Sequence, residues 1–546
     1  MGTRATSDGP GKDPADRGAG PTGKGHGPSG LVRAAMTVGG FTLLSRVTGF
    51  ARDILIAALL GAGPIGDAFF VAFKLPNFFR RLFAEGAFNA VFIPQFSAHL
   101  KQDGRDAAHG FAEDTLAVLL AVLLLFVALA QMFIPVLMLG LAPGFADDPA
   151  TFDLAVDLTR ITFPYLLFIS LVSLMAGVLN GVGRFAAAAA TPILLNLCLI
   201  AALLLLVDRV PTAGHALAIG VFVAGVVQFV WLLFALHRAG LPLRLPRPRL
   251  TPAVRRVLVI MGPAALGAGV VQVNLVIDIV LASLLQEGAI SYLFYADRIS
   301  QLPIGVVGVA VGTALLPLLS RQAAAGENEA ARRSLNRALE LGLLLALPAM
   351  AACLAIPDLL VGGLFERGAF TAADTQATAM TLTAYALGLP AYVMMKVLGP
   401  AFFARSDTVT PLKIAMVTVV VNMALNLALM WHLQQVGLAL ATALSSWLSA
   451  ILSIWLLHRR GWMVADARLR GAAVKAVLVS GLMAGVLVAV SMALAPLAGE
   501  GEAMRAAGLV ILVVMGLLTY GLLAQITGLA RLRDLKAMMR GRDASS

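Results

Sequence analysis

Charge is scarce in this chain. Only 13% of the 546 residues are Asp, Glu, Lys or Arg, far below what a water-soluble domain of this size carries, so a soluble globular fold is excluded at the outset. Cysteine is scarcer still. Cys198 and Cys353 both lie in apolar runs without a CxxC partner, which rules out a disulfide framework and a zinc site and leaves both as packing residues. The seven histidines (His26, His99, His109, His215, His237, His432 and His458) fall in tails or near expected helix ends, so a histidine metal centre or catalytic dyad within the apolar body has no parts. An enzyme is therefore not expected. The first thirty residues, rich in Gly, Pro, Asp and Lys, lack the apolar core of a cleaved signal, so residues 1–33 read as a disordered cytoplasmic tail. Within it Gly18 to Gly25 nearly spells a phosphate-binding loop. Gly25 stands where the magnesium-holding hydroxyl is needed and no strand precedes it, so no nucleotide site is expected.

What fills the chain is hydrocarbon. Apolar residues make up 59%, the mean hydropathy is +0.87, and the charges gather between runs long enough for a helix to cross a bilayer. These runs fall at about 34–60, 66–98, 112–141, 155–181, 186–207, 215–236, 255–285, 289–319, 338–361, 375–403, 411–431, 435–457, 472–496 and 506–528. The expected fold is an all-α integral membrane protein of about fourteen transmembrane helices. A net charge of +11 could suggest nucleic acid, but that needs a basic face on a soluble domain. The charge instead reports topology: tails and even-numbered loops hold about thirty Lys and Arg and odd-numbered loops about three, which predicts that both termini are cytoplasmic.

An internal repeat at an offset of about 220–226 residues adds architecture. Lys74-Leu-Pro76 followed by Phe92-Ile-Pro94 parallels Arg298 through Leu302-Pro303 followed by Leu315-Leu-Pro317. Phe163-Pro164-Tyr165 through Arg184, Thr191-Pro192 and Asn196 likewise parallels Leu389-Pro390-Ala-Tyr392 through Arg405, Thr410-Pro411 and Asn422. A repeat of six spans keeps its orientation, so two six-helix lobes in parallel pseudo-repeat are expected, at 34–237 and 255–458, joined by a basic cytoplasmic loop, 238–254. Helices thirteen and fourteen (471–528) stand outside the repeat, before a basic cytoplasmic tail, 529–546.

Eight basic side chains lie within or at the edges of spans: Arg46, Arg52, Lys74, Arg80, Arg81, Arg160, Arg298 and Lys396. Each costs about 2.5–3.5 kcal/mol at a helix centre on insertion scales, so each needs a partner, a wet cavity or an interface. Arg160 and Lys396 can snorkel. Arg46 and Arg52 cannot readily do so, because apolar residues precede the one and follow the other. Allowing for pairing by Asp53, Asp67, Glu85, Asp278 and Asp297, helices one, two and eight keep an excess of positive charge. Buried cationic excess suits an anion, and the planar fork of arginine suits a phosphate. Gly49 and Pro76 are candidate bending points beside it.

On these residues the chain resembles a known family. The stretches are Ser45-Arg46-Val-Thr-Gly49-Phe-Ala-Arg52-Asp53, Asp67-Ala-Phe-Phe-Val-Ala-Phe-Lys74-Leu-Pro76-Asn77 and Phe79-Arg80-Arg81-Leu-Phe-Ala-Glu85-Gly86-Ala-Phe88. To these add Tyr295-Ala-Asp297-Arg298, Gly308-Val-Ala-Val-Gly312-Thr313, Leu364-Phe-Glu366-Arg367-Gly368-Ala-Phe370, and Phe403-Ala-Arg405 with Thr410-Pro411. Over residues 34–530 it is similar to the bacterial lipid II flippases of the MurJ (MviN) family, in the multidrug/oligosaccharidyl-lipid/polysaccharide exporter superfamily. The resemblance implies a transporter of the inner membrane that flips the undecaprenyl-pyrophosphate-linked peptidoglycan precursor outward by alternating access. It implies substrate contacts at Arg46, Arg52, Asp67, Arg80 and Arg298, with Glu85 and Lys74 as further candidates, and a groove for the lipid tail along helices thirteen and fourteen. Some members of that family bind sodium, and a similar site here would use Asp278, Asn422, Asn426 and Thr442, with a backbone carbonyl near Leu438. Asn426 stands where such members can carry a carboxylate. Rival readings are a flippase for another polyprenyl-linked oligosaccharide, an ion-coupled multidrug exporter, and a scaffold for cell-wall synthesis proteins.

Overall fold

The computed structural model describes residues 28–81, 88–312, 315–494 and 501–529, and among these no strand occurs. The first half runs α1 (Pro28–Leu60), α2 (Pro64–Phe79), α3 (Asn89–Gln102), α4 (Gly104–Leu141), α5 (Pro149–Thr162), α6 (Tyr165–Gly181), α7 (Ala186–Leu206) and α8 (Ala213–Arg238). After an extended linker come α9 (Pro252–Ser283), α10 (Ala289–Gly312), α11 (Leu315–Ala324), α12 (Asn328–Ala355), α13 (Pro357–Phe365), α14 (Ala372–Ala386), α15 (Leu389–Phe403) and α16 (Val409–Arg459). Two further helices, α17 (Ala467–Leu494) and α18 (Glu502–Ile526), pack on α12 and α13.

Eight of the described helical segments are individually long and apolar enough to cross a membrane, and α14 with α15, bent by 42°, makes a ninth. Two of the remaining expected spans carry charge along their length. α1 carries Arg46, Arg52 and Asp53, while α10 carries Asp297 and Arg298. The 51 residues of α16 would reach about 76 Å as one rod, more than twice the hydrocarbon thickness. The helix instead turns back at Gln434: the Asn422 Nδ2 donates to Ser445 Oγ at 3.2 Å, pairing residues twelve before and eleven after the turn. Two antiparallel arms result, as the breaks at 431 and 435 predict.

Prolines in these spans free carbonyls four residues earlier, and in lipid each must find a donor. Four are answered by side chains. Thr162 Oγ1 donates to Ala72 O (3.1 Å) behind Pro76, and Gln131 Nε2 to Arg160 O (2.8 Å) behind Pro164. Thr191 Oγ1 donates to Ala188 O (2.8 Å) behind Pro192, and Tyr520 of α18 to Leu344 O (2.7 Å) behind Pro348. The last bond docks α18 on α12. Outward faces stay apolar, as with Leu125, Met132, Phe133 and Val136 on α4, which suits a lipid solvent.

Gln434 itself holds φ 51° and ψ −134°, a region open to glycine and costly for a side chain. Gln434→Gly should raise stability by about 1 kcal/mol, read as a higher midpoint of thermal unfolding in detergent; a lower midpoint would mean the Gln434 side chain holds the turn.

Candidate functional site

At one end of the bundle the two halves are bonded to each other. There Asp67 of α2, 4% exposed, reaches across to the start of α10 and accepts from Gly288 N (2.8 Å), Ser291 N (2.8 Å) and Ser291 Oγ (2.6 Å). This is an N-cap supplied by another part of the chain, satisfying donors that every helix leaves open and placing a carboxylate at the positive end of its dipole. Around it Phe70 stacks on Phe294 (3.9 Å), and Tyr295 meets Phe365 (5.1 Å) and Phe370 (5.2 Å). The amide of Ala369 donates to Ala58 O at 2.8 Å, and Tyr295 OH to Gly61 O at 3.1 Å. Gly61 (φ 68°) and Gly368 (φ 58°) make this approach possible, because a Cβ on either would sit 2.5 or 2.2 Å from the opposing carbonyl oxygen. Asp67, expected among the substrate contacts, has both buried oxygens bonded to the start of α10.

Inside this seal lies a chain of charges. Arg52, 8% exposed, donates from Nε and Nη2 to Asp53 Oδ1 (3.0 and 2.5 Å) and from Nη1 to Asn196 Oδ1 (2.9 Å). Asn196 is aimed by its own bonds to Ser45 O (3.0 Å) and Thr48 Oγ1 (3.2 Å). Gly49 serves this contact rather than a bend: α1 runs through it, and a Cβ there would lie 3.2 Å from Asn196 Nδ2. Asp53 is 2% exposed, and its Oδ2 lies 3.3 Å from Arg298 Nε of α10, whose guanidinium sits 4.6 Å over Phe294. One carboxylate thus stands between two guanidinium groups from opposite halves, leaving a net positive charge.

Arg46 and Lys74 approach the same inner surface. Arg46 is exposed yet crosses from α1 to α10, where a Cβ on Gly305 would lie 1.7 Å from its Nη1. Gly305→Ala should therefore displace Arg46 and cut transport several-fold while the fold persists; transport at the unaltered rate would remove Arg46 from the site. Lys74 is open to solvent although it lies deep in the protein, facing Asp297, Arg298, Arg81 and Asp278, as a side chain lining an internal wet space does. Arg80 Nε donates to Asn77 Oδ1 at 3.1 Å on its own helix. Glu85 lies outside the described residues. Arg160 is half exposed, 3.8 Å from Asp157, and Lys396 is exposed.

A second polar cluster brings together the residues expected for sodium. Asn426 Nδ2 donates to Asp278 Oδ1 (3.1 Å) and Asn422 Oδ1 (3.2 Å), and Thr442 Oγ1 to Leu438 O (2.9 Å) on the returning arm of α16. Two more members escaped the sequence reading: Ser445, bonded to Asn422, and Asn274, one turn before Asp278 at 3.5 Å. The helical spacing of Asn274 and Asp278 was the available signal. The Oδ1 atoms of Asn426 and Asn274 are buried without a donor, so acceptor oxygens are left over beside a carboxylate, which fits a small hard cation.

The family model described as lipid II flippase MurJ matches residues 56–503. A probable lipid II flippase MurJ of Rhizobium tropici is 43% identical over 505 residues, covering 91% of this chain and 94% of its own. The lipid II flippase MurJ of Burkholderia cenocepacia is 37% identical over 467 residues, covering 83% and 89%. A solved lipid II flippase MurJ in an inward closed conformation superposes with a TM-score of 0.76 at 26% identity, covering 92% of this chain and all of that one. An inward-facing multidrug resistance MATE transporter of the MOP superfamily shares the fold alone, with a TM-score of 0.61 at 16% identity over 78% of this chain and 98% of its own. With its family model matched over most of its length, and with relatives matched nearly end to end, the chain belongs to the lipid II flippase MurJ family.

Proposed function

We propose that this protein carries lipid II, the undecaprenyl-pyrophosphate-linked peptidoglycan precursor, from the cytoplasmic to the periplasmic leaflet of the bacterial inner membrane. The observation that carries the reading is the net-positive surface between the halves, where Arg52 and Arg298 share the carboxylate of Asp53, Arg46 reaches across to α10, and Lys74 stands open near Asp297 and Asp278. A pyrophosphate brings the missing negative charge, and guanidinium groups meet it with paired donors. A multidrug exporter for cations would need the opposite sign.

Residues 34–237 and 255–458 act as two lobes that rock about this surface, and α17 with α18 supplies the groove for the isoprenoid tail. The loops rich in Lys and Arg, with both termini, belong to the cytoplasm, so the end sealed by Asp67 faces the periplasm and the chamber loads from inside. The head group enters and replaces Asp53 as the partner of Arg298. That exchange releases one tie between the lobes, and breaking the Asp67 cap opens the outer side. An inside-negative potential favours outward movement of the anion by about 2.3 kcal/mol per charge per 100 mV. Asp278, Asn422, Asn426 and Thr442, joined by Asn274, would hold a sodium ion, which would supply a fixed positive charge to α9 and α16.

Labelled lipid II in vesicles containing the pure protein tests the reading. Head groups should become accessible on the far side with wild type and not with Arg298→Ala. A protein moving only other polyprenyl-linked oligosaccharides, a drug exporter or a scaffold would leave lipid II where it started.

A further inference from the structure

Both halves end on one structural element that the transport reading leaves unused. Phe234-Ala-Leu-His237-Arg238-Ala-Gly240-Leu241 closes α8, and Trp455-Leu-Leu-His458-Arg459-Arg-Gly461-Trp462, 221 residues later, closes α16. Their caps are the same. Gly240 (φ 71°) and Gly461 (φ 68°) donate to the carbonyls of His237 (3.0 Å) and His458 (2.9 Å), while Leu241 and Trp462 donate to Leu236 (3.0 Å) and Leu457 (2.8 Å). Each helix also lays an arginine over an aromatic ring one turn earlier, Arg238 at 5.7 Å from Phe234 and Arg459 at 5.5 Å from Trp455. A second arginine approaches each cap: Arg184 donates to Arg238 O at 3.2 Å, and Arg405 lies 4.9 Å over Trp462.

Among the described residues no carboxylate makes an ion pair with Arg184, Arg238, Arg405 or Arg459, whereas neighbouring Arg460 pairs with Asp407. Arg238 and Arg459 thus stand without a carboxylate partner of their own, while at the second cap Asp407 is taken up by Arg460. Phe234 and Trp455 are about half exposed, on the outer apolar surface that Val230 and Ile451 continue, so the arginines stand where hydrocarbon gives way to head groups. A ring beneath the guanidinium plane leaves its N–H edge free to meet an oxyanion from the side.

We propose that these are two equivalent sites for the phosphate of an anionic phospholipid, one in each half, fastening the same end of both halves to one leaflet. A free phosphate ion would gain nothing from the exposed aromatic surface, whereas a lipid places acyl chain against Phe234 or Trp455 and phosphate against the arginines. The duplication matters for a transporter whose halves rock: matched anchors hold one end in the plane of the membrane while the other end opens.

The test is phosphatidylglycerol binding to the full-length protein in zwitterionic detergent micelles, followed by native mass spectrometry. Arg238→Gln and Arg459→Gln should each lower the species carrying two phosphatidylglycerols about fivefold, by equal amounts, and the double variant about twenty-fivefold. Phosphatidylcholine should bind no better to wild type than to the double variant. Unchanged phosphatidylglycerol binding in the double variant would overturn the proposal, and so would competition by millimolar inorganic phosphate, which would make these sites for the free ion. The outcome is independent of lipid II flipping, because neither arginine lies in the central chamber.

Discussion

Asp67→Ala should open the sealed end of the protein without unfolding it. The substitution strands Gly288 N, Ser291 N and Ser291 Oγ and removes the cap of α10. Bonds to a buried charged acceptor contribute about 1.5–3 kcal/mol each, though not additively, and a lost cap costs about 1 kcal/mol. A combined loss of about 4 kcal/mol falls on the contact between halves and not on either core, so it shifts a conformational equilibrium by about a thousandfold. With Cys198 and Cys353 replaced by alanine, a cysteine at Ala369 should react with a water-soluble thiol reagent at least tenfold faster in the Asp67→Ala background. Asp67→Asn, which keeps one acceptor oxygen, should fall between. Equal labelling in all three would mean that Phe70, Phe294 and Tyr295 hold the seal without the cap.

The second large effect concerns Asp53. Its removal leaves Arg52, 8% exposed, without its charge partner and brings it into repulsion with Arg298. Breaking a buried ion pair from one side costs about 3–5 kcal/mol. Asp53→Ala should therefore lower the thermal midpoint by several degrees and abolish lipid II flipping. Arg298→Gln should act differently: Arg298 is a third exposed and solvent weakens its tie to Asp53, so the fold should hold while flipping is lost. Arg52→Gln combined with Asp53→Asn removes both buried charges and should recover most of the stability and none of the transport. Recovery of transport in that double variant would show that the pair is structural and that the phosphate is met elsewhere.

These two carboxylates also mark how far the sequence could be read. Membrane class, helical architecture and the excess of cations among the spans were legible because lipid permits so few solutions: each span must be long, apolar and internally hydrogen-bonded, and each charge within it is an exception that stands out. The turn between the arms of α16 was visible for the same reason, since 51 residues cannot cross once. The motifs identified Arg46, Arg52, Asp67 and Arg298 as candidates, while Asp53 read only as a partner abutting Arg52. Only the packing of α2 against α10 turned Asp67 into a cap and left Asp53 as the bridge between two arginines. Gly49 read equally as a bending point or a packing residue, and only the fold places it against Asn196, a residue 147 positions away. Asn274 was missed because a single amide on an apolar helix acquires meaning only when Asp278 and Asn426 are brought beside it. Composition and periodicity act along the chain and fix which segments cross the bilayer. Which side chain meets which is decided across the chain, by helix contacts whose partners are about one to three hundred residues apart, and that information exists only once the halves have closed on each other.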